Sequence, residues 1–514
     1  MKQEVLRLER VTYRSDGVNI LDNFSFHIVR GEIMGLQPLD NDGLEELLDI
    51  IQNNPPLYFG FVYFMENRVN SWRGARRAKN RVTVIGSQSS LVKGMDVVTN
   101  IFVLRPGFRQ ELIRRDLLSS QLAPFLQDIG VDIDPSAPVD RLSAFERMVV
   151  EILRAVVAGH HLIILREIGS VVSESDLEQL HAIMRHYARR GFAFLYISPH
   201  YEEIRQVCTR MALMQGAAIQ MQREGRDIHQ PISVMYYKDY YDRVTQRIRR
   251  REWTDHREPL LEARNITGEY LDHFGFSLRK GECLIIQNLD IAIHQEITAI
   301  LSGDDTRRDA VLTLNGMRIR DFRSREIAYV REDPSRSMIF DDMSALENIC
   351  IALDARIPSV WRRANVRRAI REEYRRLFGD DIIDKNVDAL TQAERIRLVY
   401  CRILFQRPQV VFISQPYKNA DVRLRFQIYE LQEMLLRRGI GIVILAVNIA
   451  DGLALADRLV RVGLKNGRME AREYTKEDFA SLPLNIPWVD VFSDIKKDQT
   501  DARQTIAPSP PSRG

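Results

Sequence analysis

Few side chains in this sequence stand where they could do chemistry. Glu167 closes the apolar run Leu162-Ile163-Ile164-Leu165, and a carboxylate at the end of a buried strand can hold a divalent cation and orient water. Arg166 stands directly before it and would repel that cation, so the two read as an ion pair with a structural role. His294 lies between branched apolar residues, and its imidazole is mostly neutral near pH 7. Cys208, Cys283, Cys350 and Cys401 lack metal-ligand spacing, and three of them sit inside apolar stretches, as reduced buried thiols do. Arginine is concentrated in two runs, Trp72 to Arg81 and Trp361 to Arg376, and such runs usually form solvated faces. Aromatic residues are not interleaved with these arginines at stacking intervals, so no nucleic-acid partner is expected.

Around these residues one short grammar occurs twice. The first copy reads Arg30-Gly31-Glu32-Ile33, then Leu142-Ser143 with Glu146-Arg147, then the apolar run before Arg166. The second reads Lys280-Gly281-Glu282-Cys283, then Leu390-Thr391 with Glu394-Arg395, then Val410-Val411-Phe412-Ile413. Gly31 and Gly281 are 250 residues apart, whereas Asn100 and Asn348, like Glu146 and Glu394, are 248 apart. So steady an offset is the mark of an internal duplication.

The 514 residues exceed a single hydrophobic core and suit two domains. With 45% hydrophobic and 28% charged residues the chain has an ordinary globular composition. Its net charge of +3 gives no whole-protein argument for nucleic acid. No apolar stretch approaches the ~18 residues that span a bilayer, and no apolar signal region precedes the first strand-like segment.

The elements that must position these residues also repeat. Each copy opens on alternating segments, Val5 to Tyr13 and Phe24 to Val29, then Leu260 to Ile266 and Phe274 to Leu278. A buried strand follows each Gly-Glu turn, and Leu44, Leu47, Leu48 and Ile51 then have helical spacing. Helices at Arg147 to Ala158 and Arg395 to Phe405 precede further buried strands, ending at Ala193 to Ile197 and Ile440 to Leu445. Strands alternating with helices predict an α/β fold with a mostly parallel sheet in each half. The expected boundaries are 1–225 for the first copy, 226–258 for its terminal helix and a linker, 259–490 for the second copy, and 491–514 for a polar, proline-bearing, disordered tail.

In this order the motifs resemble an ABC-transporter ATPase domain. The details Leu21-Asp22-Asn23, Ser90-Leu91-Val92 and Asn100-Ile101-Phe102 look like the first cassette of the tandem ATPases that power simple-sugar import of the ribose, galactose and xylose type. Ile327-Ala328-Tyr329-Val330, Met343-Ser344 and Glu347-Asn348-Ile349 look like the second. The resemblance covers roughly residues 5–225 and 260–480. It implies two tandem P-loop NTPase-like domains, each with a mostly parallel sheet, flanking helices, an antiparallel β subdomain and a helical subdomain. In such proteins a glycine-rich loop wraps ATP phosphates with backbone N–H groups and ends on a lysine.

The resemblance places that loop at residues 37–46, where Gly43 remains, Leu44 stands at the lysine position, and Glu45 and Glu46 replace the Mg²⁺-binding hydroxyls. In the second copy it falls on 287–296, without glycine, with His294 at the lysine position and Gln295 after it. The signature positions become Ser143 and Thr391, the catalytic-glutamate positions Glu167 and Gln415, and the switch-histidine positions Pro199 and Val447. The γ-phosphate-sensing glutamine maps to Ser87 and Arg331, and the adenine-stacking aromatic to Ser15, near Tyr13. The reading is of a catalytically degenerate cassette protein with vestigial Glu167, no confident cofactor residue, no metal and no cofactor. Its expected partners are membrane permease subunits or a regulatory protein in sugar uptake, with the two cassettes paired in one chain through Asp40, Asp42, Glu45 and Glu46 against Arg395 and Arg397. Its expected place is the cytoplasm or the inner face of the membrane, reached through a partner or the Trp361 to Arg376 run. The alternative is a working ATPase subunit of a sugar importer, using ATP and Mg²⁺ in atypical sites. A weaker one is a regulator touching lipid or nucleic acid.

Overall fold

The computed structural model describes residues 3–15, 17–70, 79–103, 114–216, 218–225, 238–250, 259–305, 310–351, 363–379, 382–418, 420–449, 452–465, 468–482 and 492–493. Contacts divide the chain into one unit of Met1–Lys238 with Asp421–Arg423 and a second of Asp239–Ala420 with Leu424–Gly514.

In the first unit, β1 (Glu4–Ser15), β2 (Val18–Val29), β4 (Phe59–Phe64) and β5 (Asn67–Arg68) form an antiparallel sheet in the order β2-β1-β4-β5. A six-stranded sheet has the order β10-β9-β3-β8-β7-β6, from β3 (Ile33–Pro38), β6 (Val82–Ile85), β7 (Leu162–Arg166), β8 (Ala193–Ile197), β9 (Arg210–Gln215) and β10 (Ala218–Glu224). Only the β9–β10 pairing is antiparallel. The parallel strands β3, β7 and β8 are buried and, apart from Gln37 and the terminal Arg166, almost wholly apolar, as befits strands accompanied by helices: α1 (Leu44–Asn53), α3 (Ala144–Val157), α4 (Glu174–Arg189) and α5 (Tyr201–Val207). An outlying helix, α2 (Arg115–Ile129), completes the helical part.

The second unit repeats the plan. Its antiparallel sheet runs β12-β11-β14-β15, from β11 (Pro259–Ile266), β12 (Phe274–Arg279), β14 (Val311–Leu314) and β15 (Met317–Ile319). Its main sheet runs β16-β17-β18-β13-β19-β20, from β13 (Cys283–Asn288), β16 (Ile327–Val330), β17 (Val410–Ser414), β18 (Gly441–Ala446), β19 (Arg458–Lys465) and β20 (Arg468–Thr475). Helices α7 (Ile291–Leu301), α8 (Pro334–Ser337), α9 (Ala345–Cys350), α10 (Arg363–Phe378), α11 (Gln392–Gln406) and α12 (Val422–Arg437) accompany it. Among the described residues no helix is long and apolar enough to cross a membrane.

Two boundaries differ from those expected. The helix α6 (Lys238–Arg250), assigned from sequence order to the first copy, belongs to the second unit. Its Val244 and Ile248 are buried in that unit's core, Tyr241 meets Phe426 edge-on at 5.9 Å, and Lys476 Nζ donates to the Ile248 carbonyl at 2.7 Å. The rest of 226–258 lies outside the described residues. Phe492, placed from sequence in a disordered tail, is fully buried against Phe479 at 5.4 Å, because this ring fills a gap in the second core. The tail beyond residue 493, and residues 72–78 and 361–362 of the two arginine runs, also lie outside the described residues.

Candidate functional site

In each unit the strand-to-helix turn that the sequence places at the phosphates is short and tied down. In the first, β3 ends at Pro38 and α1 begins at Leu44, with Gly43 before it at φ 75°, a left-handed conformation that favours glycine. The Leu39 N–H donates to the Met214 carbonyl, and the Asp40 carboxylate accepts from Gly216 N at 3.1 Å. Burial raises the Asp40 pKa, opposed by that hydrogen bond. In the second, only Leu289 and Asp290 separate β13 from α7. The same two contacts recur: Leu289 N donates to the Val462 carbonyl, and Asp290 accepts from Leu464 N at 3.0 Å. Gln37 and Gln287 also match, donating to the Pro199 and Val447 carbonyls at 3.1 and 3.0 Å. These staples escaped the sequence reading; their turn residues are 250 positions apart between the copies and their partners 248.

The side chains at the lysine position differ between units. Leu44 is fully buried in the first unit's core, together with Leu47, Leu48 and Ile51. His294 is buried in the second, between Asn288 Nδ2 at 3.0 Å from Nδ1 and Gln415 Nε2 at 3.1 Å from Nε2. Burial pushes its pKa down to about 4, so the ring is neutral at pH 7; one ring nitrogen accepts from an amide N–H, and the protonated one needs the oxygen of the other amide turned towards it. Gln415 also donates to Glu332, which Lys418 pairs. Gln295 is exposed on α7.

At the catalytic-glutamate position the two backbones agree. Glu167 and Gln415 are both left-handed (φ 52° and 42°), and their N–H groups donate to the Ile197 and Leu445 carbonyls at 2.9 and 2.8 Å. Arg166 lies between two carboxylates, paired with Glu45 and 3.5 Å from Glu167. A guanidinium thus sits among the groups that would otherwise surround a cation. Glu45, expected from sequence at a seam between copies, has this partner inside its own unit, and Arg395 likewise pairs with Asp341. Tyr13, near the expected adenine position, packs against the core.

The signature residues are helix caps. Ser143 and Thr391 accept from Glu146 N and Glu394 N at 3.1 and 3.2 Å, and their own N–H groups donate back to those glutamates at 2.7 and 2.8 Å. Each is a closed capping box.

One further duplicated feature is fully formed. Buried Asn100 clamps the backbone of Val92, accepting from its N–H at 2.8 Å and donating to its carbonyl at 3.3 Å. Buried Asn348 does the same to Phe340, at 2.9 and 3.0 Å. Above these clamps both units expose an apolar pair, Val92 with Met95 and Phe340 with Met343.

No family model matches the chain. It is 25% identical over 501 residues to the xylose import ATP-binding protein XylG of Thermoanaerobacter pseudethanolicus, covering 93% of this chain and 98% of that protein. It is 24% identical over 499 residues to the ribose import ATP-binding protein RbsA of Clostridium perfringens, covering 94% and 98%. A solved ATP-binding cassette of an ABC transporter in its ADP conformation covers 46% of this chain and 98% of its own, at 16% identity and a TM-score of 0.40. Over more than nine-tenths of its length, and in being built of two repeated units, the chain is similar to tandem ABC ATPase subunits such as the xylose and ribose import ATP-binding proteins.

Proposed function

We propose that this protein is a cassette subunit of a sugar-type importer or its regulator, docking on a membrane permease at the cytoplasmic face without turning over ATP. The observation that carries this is the first unit's phosphate position. Leu44 there is core, and the nearby cation, Arg166, already bridges Glu45 and Glu167. An arriving phosphate finds no lysine and must take the guanidinium away from two carboxylates. One unscreened charge contact at 4 Å is worth about 4 kcal/mol at an effective dielectric near 20, half of the roughly 8 kcal/mol in a micromolar affinity. The second unit offers a neutral imidazole and a two-residue turn. Docking is supported by the Asn100 and Asn348 clamps, which hold Val92 and Phe340, each with an exposed methionine three residues on, at matching positions in both units.

The second reading is an ATP-hydrolysing subunit of a sugar importer with atypical sites, favoured by similarity across 93% of the chain to import ATP-binding proteins. Thermal unfolding with Mg-ATP separates the two. A micromolar site at a thousandfold excess of ligand stabilises by about 4 kcal/mol. The expected result is an unchanged transition at millimolar Mg-ATP and no heat in calorimetry. A saturable upward shift together with ATP-dependent phosphate release establishes the hydrolytic reading instead.

A further inference from the structure

We propose that the outward face of the first unit's antiparallel sheet is a stacking platform for single-stranded nucleic acid. Along β4, side chains alternate strictly: Val62 and Phe64 are buried in the core, whereas Phe59, Phe61 and Tyr63 point away from it. Phe59 is 54% exposed and the preceding Tyr58 64%, and the Phe61 and Tyr63 ring centroids are 6.5 Å apart. Three guanidinium groups lie on these rings: Arg14 over Tyr58 at 3.8 Å, Arg7 over Tyr63 at 3.9 Å and Arg68 over Phe61 at 4.2 Å. Ring faces and guanidinium planes are the surfaces on which unpaired bases stack.

Charge and edge geometry select the ligand. Arg7 is held by Glu4 and Glu9. Among the described residues Arg14 bonds the neutral Asn19 amide, and neither it nor Arg68 has a carboxylate partner. Two cations are therefore available to an anionic chain. The edge of β4 is closed: Asn70 accepts from Val62 N at 2.8 Å and donates to the Gly60 carbonyl at 3.0 Å. A peptide cannot add as a further strand there, so a ligand must use the faces of the side chains. The second unit lacks the platform. Where Tyr63 and Phe61 oppose Arg7 and Glu9, it has Thr313 and Val311 opposite Glu262 and Arg264, which pair with each other. The arginines and aromatics interleave across three strands, an arrangement that a reading along the sequence misses.

The test is fluorescence anisotropy of the full chain with fluorescein-labelled dodecamers of dT and of rU, which separate DNA from RNA. A duplex of equal length and a polyglutamate dodecamer serve as comparators. Either single strand should bind at about 50 mM salt with a log–log salt slope near −1.4, from two phosphate contacts at about −0.7 each. Phe59→Ala and Phe61→Ala should each weaken binding roughly tenfold, Phe61→Tyr should retain it, and Arg14→Gln with Arg68→Gln should flatten the slope. Phe59 is half exposed, so its variant keeps the wild-type melting curve. The proposal is overturned by no binding at low salt, or by binding that survives Phe59→Ala. It also fails if polyglutamate binds equally well, which marks a surface for acidic proteins, or if loss maps to Arg375 and Arg376 of α10.

Discussion

Leu44 and His294 occupy the same position in the two units, and their surroundings have diverged with them. Leu44 is fully buried in an apolar cluster, so its side chain is worth what a packed core leucine is worth. Leu44→Ala should cost about 2–5 kcal/mol in urea unfolding. Leu44→Lys should destabilise the chain without creating ATP binding, because the new ammonium would be buried among Leu47, Leu48 and Ile51. His294 sits between two amides, with the Glu332–Lys418 pair beyond Gln415, and makes a pH prediction. Its folded pKa, about 4, lies below the 6.5 of an exposed ring, so as pH falls the unfolded chain takes up the proton first. Its contribution is complete above about pH 6.5 and is lost as pH falls to about 4, on the order of 3 kcal/mol in all. His181, also held at about 4 by burial, acts in the same direction in the first unit. Unfolding free energies measured between pH 4 and 7 should therefore slope less steeply for His294→Gln than for the parent. Parallel slopes would show that the ring is not buried neutral.

At the scale of elements, the motifs that resemble catalytic ones do mechanical work. Ser143 and Thr391 start α3 and α11 by closing capping boxes with Glu146 and Glu394. Thr391→Ala should cost about 1 kcal/mol, while Thr391→Ser, which keeps the oxygen, should be close to neutral. An equal loss from both variants would point to the methyl group rather than the cap. The sequence reading began these helices at Arg147 and Arg395, three residues late, although a cap is a local pattern, a hydroxyl followed three residues later by a glutamate. The buried strands were legible, since Ala193–Ile197 and Val410–Ser414 are continuous apolar runs between polar turns. The staples of Asp40 to Gly216 and Asp290 to Leu464 were not. Each joins residues some 175 positions apart, and a lone aspartate in a turn carries no mark of the backbone it will meet. Arg166 was half legible: its neighbour Glu167 suggested an ion pair, but Glu45, 121 residues away, supplies the closer contact.

Over the whole molecule, the part that sequence order misassigned is the helix between the two copies. Tyr241, Val244 and Ile248 make a helical stripe, and a stripe says that a helix is buried without saying which core receives it. The receiver is the second unit, where Phe426 meets Tyr241 and Glu430 pairs with Arg243 at 3.3 Å. The second unit therefore begins near residue 238 rather than 259. A fragment of residues 238–514 should fold as that unit, whereas 259–514 leaves the places of Val244 and Ile248 open and the Lys476 ammonium, buried at 6% exposure, without the Ile248 carbonyl. Two fully buried aliphatic side chains contribute about 1.5–3 kcal/mol each, and a buried ammonium stripped of an acceptor adds to the loss. The shorter fragment should thus be less stable by about 3–6 kcal/mol or more, enough to unfold many domains of marginal stability. Urea unfolding of the two fragments, followed by circular dichroism, measures the difference. Equal midpoints would return the helix to the first copy, and with it the boundary that the sequence suggested.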